Sequence, residues 1–170
     1  MAERKLIIDR LKFSYEGLFN VAELYALISS WFYEKGWDWH ERVNEELVTS
    51  EGKQIRLVLE PWKSVSDFYK LEMHIMVHFI NVKDVEIEQD GQVLNLSQGL
   101  VRILFDAYVI SDRNGQWSEK PVYWLLTVLS QKYFFRSHFE KMEIWLKSDV
   151  DDLYQKIKNY LNVFKYTYRN

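Results

Sequence analysis

The stretch Asp67–Val82, DFYKLEMHIMVHFINV, limits the fold more than any other part of the chain. It holds neither glycine nor proline. Tyr69, Leu71, Met73, Ile75, Val77 and Phe79 fall on alternate positions, with Lys70, Glu72, His74 and His78 between them. A period of two marks a strand with one wet face. At about 3.3 Å per residue it would run roughly 50 Å, well beyond the usual ~17–20 Å, so it has to bend or twist around something. A curved antiparallel sheet is the expected frame.

The flanking segments fit that frame. Lys5–Tyr15 reads as a first strand with Ile7, Leu11, Phe13 and Tyr15 on one face. Asp9 falls on the apolar side, where an unpaired charge is costly, so a bulge that releases it to solvent is favoured over a pocket acid. Asn20 with Glu23 has the form of a capping box, and Val21, Leu24, Tyr25, Ile28, Trp31 and Phe32 make an apolar stripe at helical spacing. Gly36 lies where a left-handed cap would end that helix. Strands are expected at Trp39–Thr49 and Gln54–Trp62 around a turn at Ser50-Glu51-Gly52, with Pro61 ending regular pairing or sitting at an edge. Asp90-Gly91 is the strongest local turn signal, between Val85–Ile87 and Val93–Leu96. Alternation returns from Leu100 to Ile110.

Beyond Gly115 no glycine recurs, and Pro121 suits the first turn of a helix. From Val122 to Phe135 apolar residues surround nearly the whole helical circumference, so this helix needs cover on more than one side. Phe139–Lys147 fits either period. Ser148 with Asp151 resembles a capping box, which favours a last strand followed by a new helix. In that helix Val150, Leu153, Tyr154, Ile157, Leu161 and Phe164 share one face.

With 170 residues and no linker or internal repeat, residues 1–170 form one expected domain. Cysteine is absent, which excludes disulfides and thiolate sites. The N-terminus lacks the apolar core of a secretory signal, and the run Val122–Leu129 falls far short of the ~20 residues that span a bilayer. A soluble, cytoplasmic protein without a transmembrane segment is expected. A net charge of −3 with interspersed signs argues against nucleic acid as a partner. Seven Trp, eleven Tyr and ten Phe provide for a large core, and such side chains also line ligand cavities and interfaces.

His74 and His78 would share a face on a helix, but on a strand their Cα atoms stand about 13 Å apart, too far for one metal. No metal and no cofactor is expected. There is no phosphate loop, nucleophile elbow or HExxH pattern. Arg102 and Asp106 read as ordinary outer-face charges, or as pocket anchors if their face is the concave one.

The order of strand Lys5–Tyr15, helix Val21–Glu34, meander Trp39–Ile110 and helix Asp149–Phe164 resembles the helix-grip arrangement of the START/polyketide-cyclase-like superfamily. It departs from that pattern in having a single helix after the first strand and an added apolar helix. The resemblance implies an α+β fold in which a curved antiparallel sheet of about six to eight strands wraps a long C-terminal helix. It also implies a cavity between sheet and helix for an apolar ligand, in a superfamily that includes carriers, enzymes and co-chaperone domains. The leading expectation is therefore binding of a hydrophobic or lipid-like small molecule, with Tyr69, Met73, Val77, Phe105, Tyr154 and Ile157 as lining residues. A second is protein interaction or homodimerisation through Val122, Trp124, Leu125, Val128 and Phe135. A third is a cyclase-like or hydrolase-like enzyme, which would need Asp9, Glu72 or His74 pointing into a pocket.

Overall fold

The computed structural model describes residues 3–111, 121–122, 125–126, 129 and 136–168. Strand β1 (Glu3–Phe19) leads to helix α1 (Val21–Lys35) and then to a meander of β2 (Asp38–Thr49), β3 (Gly52–Ser64), β4 (Tyr69–Gln89) and β5 (Gln92–Ser111). Helix α2 (Arg136–Thr167) ends the chain. All neighbours pair antiparallel, in the order β1-β5-β4-β3-β2. The chain thus starts at one edge, crosses to the other through α1, and folds back strand by strand. The fold is α+β.

On β4 the alternate residues from Tyr69 to Phe79 are buried, and the residues between them are half-buried. Val101, Ile103, Phe105, Ala107 and Val109 of β5 continue that buried face. Against it lies α2, whose buried stripe is Met142, Leu146, Val150, Leu153, Ile157 and Leu161. With Leu24, Ile28, Trp31 and Phe32 of α1, these residues form a single core.

The sheet has five strands rather than six to eight. Segments that look separate in the sequence are continuous: β4 runs 21 residues through Val85–Ile87, and β5 runs 20 residues through Val93–Ile110. The apparent break is a bulge in β4 between Ile80 and Lys83, where Asn81 takes a positive φ of 53°. Glycine stands beside it on both neighbouring strands. A Cβ at Gly99 of β5 would lie 2.9 Å from the Ile80 carbonyl oxygen, and one at Gly52 of β3 would lie 2.8 Å from the Asn81 carbonyl carbon. The bulge therefore needs both glycines, and it supplies the bend a strand this long requires.

The Asp90-Gly91 hairpin forms as its sequence indicates, with φ of 53° and 76° at the two turn residues. Asn20 caps α1 by accepting from the Glu23 N–H at 3.2 Å, and Gly36 closes the helix in the left-handed region. Asp9 is released by a bulge: the register shifts on either side of Ile8, and the Arg10 N–H donates to Asp106 Oδ1 at 2.7 Å. Pro61 does not end β3. The strand continues to Ser64, and the β3–β4 register skips Glu60 and Pro61, as the missing N–H requires.

Phe139–Lys147 is helix, not strand, and the box at Ser148 starts nothing, because α2 passes through it for 32 residues. Met142 and Leu146 are buried while Ile144 is 63% exposed, so the helical period prevails. Most of the helix expected at 122–135 lies outside the described residues. Val122 and Leu125 are helical and exposed, whereas Trp124, Val128 and Phe135 lie outside the described residues. No helix among the described residues is long and apolar enough to cross a membrane.

Gly99→Ala is expected to lower stability by about 1–3 kcal/mol through overpacking at the bulge, measured by urea denaturation. An unchanged midpoint would show that the β4 bulge tolerates a side chain there.

Candidate functional site

Sites on the concave side are set by how the two helices divide it. Helix α2 fills the part over β1, β4 and β5. Helix α1 is fastened to α2: Trp31 Nε1–H donates to Asp152 Oδ2 at 2.7 Å, and near the other end Tyr160 O–H donates to Glu23 Oε2 at 2.9 Å. Trp37, just beyond α1, donates from Nε1 to Asp149 Oδ2 at 3.0 Å. Trp31 also packs against Phe32 and Trp37, with ring centroids 5.8 and 6.4 Å away. These bonds tie α1 to α2, so its first turns stand off β2 and β3.

The gap is a cleft of about 590 Å³. Its apolar lining comes from Val21 and Ala22 of α1, Ile55 and Leu57 of β3, and Phe79 and Val82 of β4. Tyr25, Glu41, Asn44, Glu46, Lys53, Asp84 and Ser97 supply polar groups. Tyr25 donates its hydroxyl to the Glu41 carboxylate. That bond, with burial and the nearby negative charge, pushes the phenol up to about 12. Asn44 Nδ2–H donates to the second Glu41 oxygen at 3.0 Å. Lys53 Nζ stands 3.3 Å from Asp84, which leaves the lining with an excess of carboxylate. The cleft suits an apolar body carrying a hydroxyl or amine rather than an acid.

The residues expected to line a sheet-to-α2 cavity do meet, as packed core. Met73, Val77, Phe105 and Ile157 are at most 1% exposed, and none lines a cleft described here. Tyr154 is half-buried, edge-on to Phe13 at 5.6 Å. Tyr69 lines an opening of about 250 Å³ beside Phe139, below the usual size of a small-molecule site.

None of the acid or base candidates faces the concave side. Asp9 is exposed at its bulge. Glu72 lies on the convex face, 2.9 Å from Arg4 and 3.4 Å from Lys70. His74 stands on the same face, with Nε2 3.8 Å from Glu60. Arg102 and Asp106 share that convex side, so they are not anchors of a concave pocket. Among the described residues no group of His, Asp and Glu is placed to hold a metal.

The α1 cleft was missed because Val21 and Tyr25 look like members of a core stripe. The available signal lay in β2, where Glu41, Asn44 and Glu46, the residues that come to face the first turns of α1, are all polar. A strand this polar is a poor partner for a helix.

No family model and no curated protein matches the chain. A solved structure of an uncharacterized protein from Rhizobium leguminosarum is similar over 94% of this chain and 99% of that one, at 10% identity and a TM-score of 0.23. A likeness this distant bears on neither fold nor function.

The Asp152 carboxyl is held below its ordinary range, first by the Trp31 indole N–H and then, against the cost of burial, by Lys35 and Lys156. A depressed folded pKa gives stability that is present above the unfolded value and lost as pH falls through the folded one. Asp152→Asn is therefore expected to flatten the loss of stability in acid, below about pH 4. Trp31→Phe, which removes the donor and part of a packed ring, is expected to cost about 1–3 kcal/mol near neutrality. Thermal melts across pH check both, and a steep acid limb unchanged in Asp152→Asn would exclude this carboxylate as a stabilising group.

Proposed function

We propose that the protein binds a hydrophobic small molecule, not between the sheet and the C-terminal helix but in the cleft between α1 and strands β2 to β4. The observation that carries this reading is the cleft itself: about 590 Å³ with an apolar lining and a polar rim. Ligand sites of ~300–1,000 Å³ have this character, where apolar surface supplies affinity and a few polar groups set orientation.

The lining narrows the ligand class. Val21, Leu57 and Phe79 present apolar surface to the body of the molecule. Glu41 already accepts from Tyr25 and Asn44, whereas Glu46 has no ion pair among the described residues and is free to meet an amine or hydroxyl. A carboxylated ligand would meet Glu41, Glu46 and Asp84 with only Lys53 to offset them.

The test uses Nile red, a neutral hydrophobic dye, and the variant Ala22→Trp. Ala22 is exposed and lines the cleft, so a larger side chain fills the site without entering the core. Wild-type protein is expected to bind the dye saturably with a blue-shifted emission, and Ala22→Trp to bind it at least about tenfold more weakly, roughly 1.4 kcal/mol. Equal binding by both proteins, or none by the wild type, would overturn the proposal.

A further inference from the structure

The convex face of the sheet carries a second arrangement that the α1 cleft does not explain. In register across the strands, Arg56 of β3 faces His78 of β4, His78 faces Arg102 of β5, and Arg102 faces Ser14 of β1. Lys12 lies two residues from Ser14 on the same face of β1. Like charges placed directly opposite one another across strands are destabilising. Glu45 of β2 stands opposite Arg56 at one end of the row, but among the described residues no ion pair or side-chain hydrogen bond engages Lys12, Arg56 or Arg102.

Glu45 lies beyond Arg56, two strands away from Arg102, and the acids nearer to Arg102 are committed or displaced. Asp106 of β5 accepts from the Arg10 N–H. Glu60 of β3 binds Arg42 and His40 at 2.9 and 3.0 Å. Glu16 of β1 pairs with Leu100, one row beyond Arg102.

His78 marks the centre of the row. Its Nε2 is buried with no hydrogen-bond partner. A buried polar atom is costly to leave unsatisfied, and such an atom in a native fold calls for an explanation. The ring lies in a depression of about 410 Å³ whose lining includes Lys12, Ser14, Met76, Arg102 and Leu104. Met76 and Leu104 are cross-strand partners in the adjacent row and continue into Val58, which is 3% exposed on a face otherwise wet. A cationic row therefore runs beside an apolar one, inside a concavity.

We propose that this groove binds an oxyanion, a carboxylate or phosphate, borne on an apolar chain or ring. The head group is held by Arg102, Lys12 and His78, with the Ser14 hydroxyl beside them, and the apolar part rests on Met76 and Leu104. Charge-assisted bonds from guanidinium and imidazolium are the strong ones, and here they relieve the repulsion within the row and give the buried Nε2 a partner. Burial, Arg56 and Arg102 hold the His78 pKa below its usual value. A bound anion adds the opposite influence and favours the protonated ring. This site is separate from the α1 cleft and prefers the opposite ligand charge.

The experiment follows the His78 imidazole signals by NMR, with octyl phosphate below its micellar range, octanoate and inorganic phosphate as probes. Octyl phosphate and octanoate are expected to shift those signals saturably and to move the His78 titration to higher pH, while inorganic phosphate binds at least about tenfold more weakly because it leaves the apolar row uncovered. Arg102→Gln, a change at an exposed position, is expected to weaken octyl phosphate about tenfold. Ala22→Trp is expected to leave this binding unchanged, so the fate of the α1 cleft is read independently. The absence of a saturable His78 shift with both amphiphiles would overturn the proposal. So would equal binding by Arg102→Gln, or inorganic phosphate binding as tightly as octyl phosphate.

Discussion

The contact between one stripe of α2 and the buried face of the sheet, closest along β1 and β5 with β4 completing the core, is the interaction on which the structure depends. Met142, Leu146, Val150, Leu153, Ile157 and Leu161 are spaced to face one direction for much of a helix of 32 residues. Complete burial of side chains like these contributes about 1.5–3 kcal/mol each. The sheet receives them because Met73, Ile75 and Val77 of β4 and Val101, Ile103 and Phe105 of β5 stand on the same face. A flat sheet would meet such a rod along a narrow line. A bulge bends the strand that carries it, and the one at Asn81, flanked by Gly52 and Gly99, is where the long strand departs from straight pairing.

What α2 takes determines what remains for α1. The shorter helix bonds to α2 through Trp31 and through Tyr160, with Trp37 adding a third bond beside it. These contacts hold its buried side against the core while its first turns stand away from β2 and β3. The resulting cleft is acidic, whereas the opposite face of the same sheet carries the row of Arg56, His78 and Arg102. One sheet therefore separates two concavities of opposite electrostatic preference. Each combines apolar surface with a small number of polar groups.

Much of this was legible in residue order. The alternation from Tyr69 to Phe79 identified the central strand and its buried face, Asp90-Gly91 its hairpin, and Asn20 with Gly36 the limits of α1. Asp9 on an apolar face signalled the bulge. The strand count was not legible, because Asn81 and Gly99 resemble breaks unless each is known to accommodate the other across the ladder. Phe139–Lys147 satisfies both periods, and only the neighbours of Met142, Ile144 and Leu146 decide between them. The α1 cleft was hidden for a related reason. Val21 and Tyr25 have the spacing of core residues, but a core position also requires an opposing surface, and β2 is too polar to provide one. The exposed cations of the convex row read as ordinary solvent-facing charges until the register set Arg56, His78 and Arg102 side by side.

The central claim is that β4, β5 and α2 form a closed unit and that ligand space lies under α1. Amide hydrogen exchange on the free protein and with Nile red bound tests it most directly. The account predicts the slowest amides in β4, β5 and α2, unchanged by the dye, and new protection in Val21–Tyr25 and in the facing parts of β2 and β3. Dye-induced changes concentrated in Val150–Ile157 of α2 and Met73–Val77 of β4, with α1 unaffected, would contradict it.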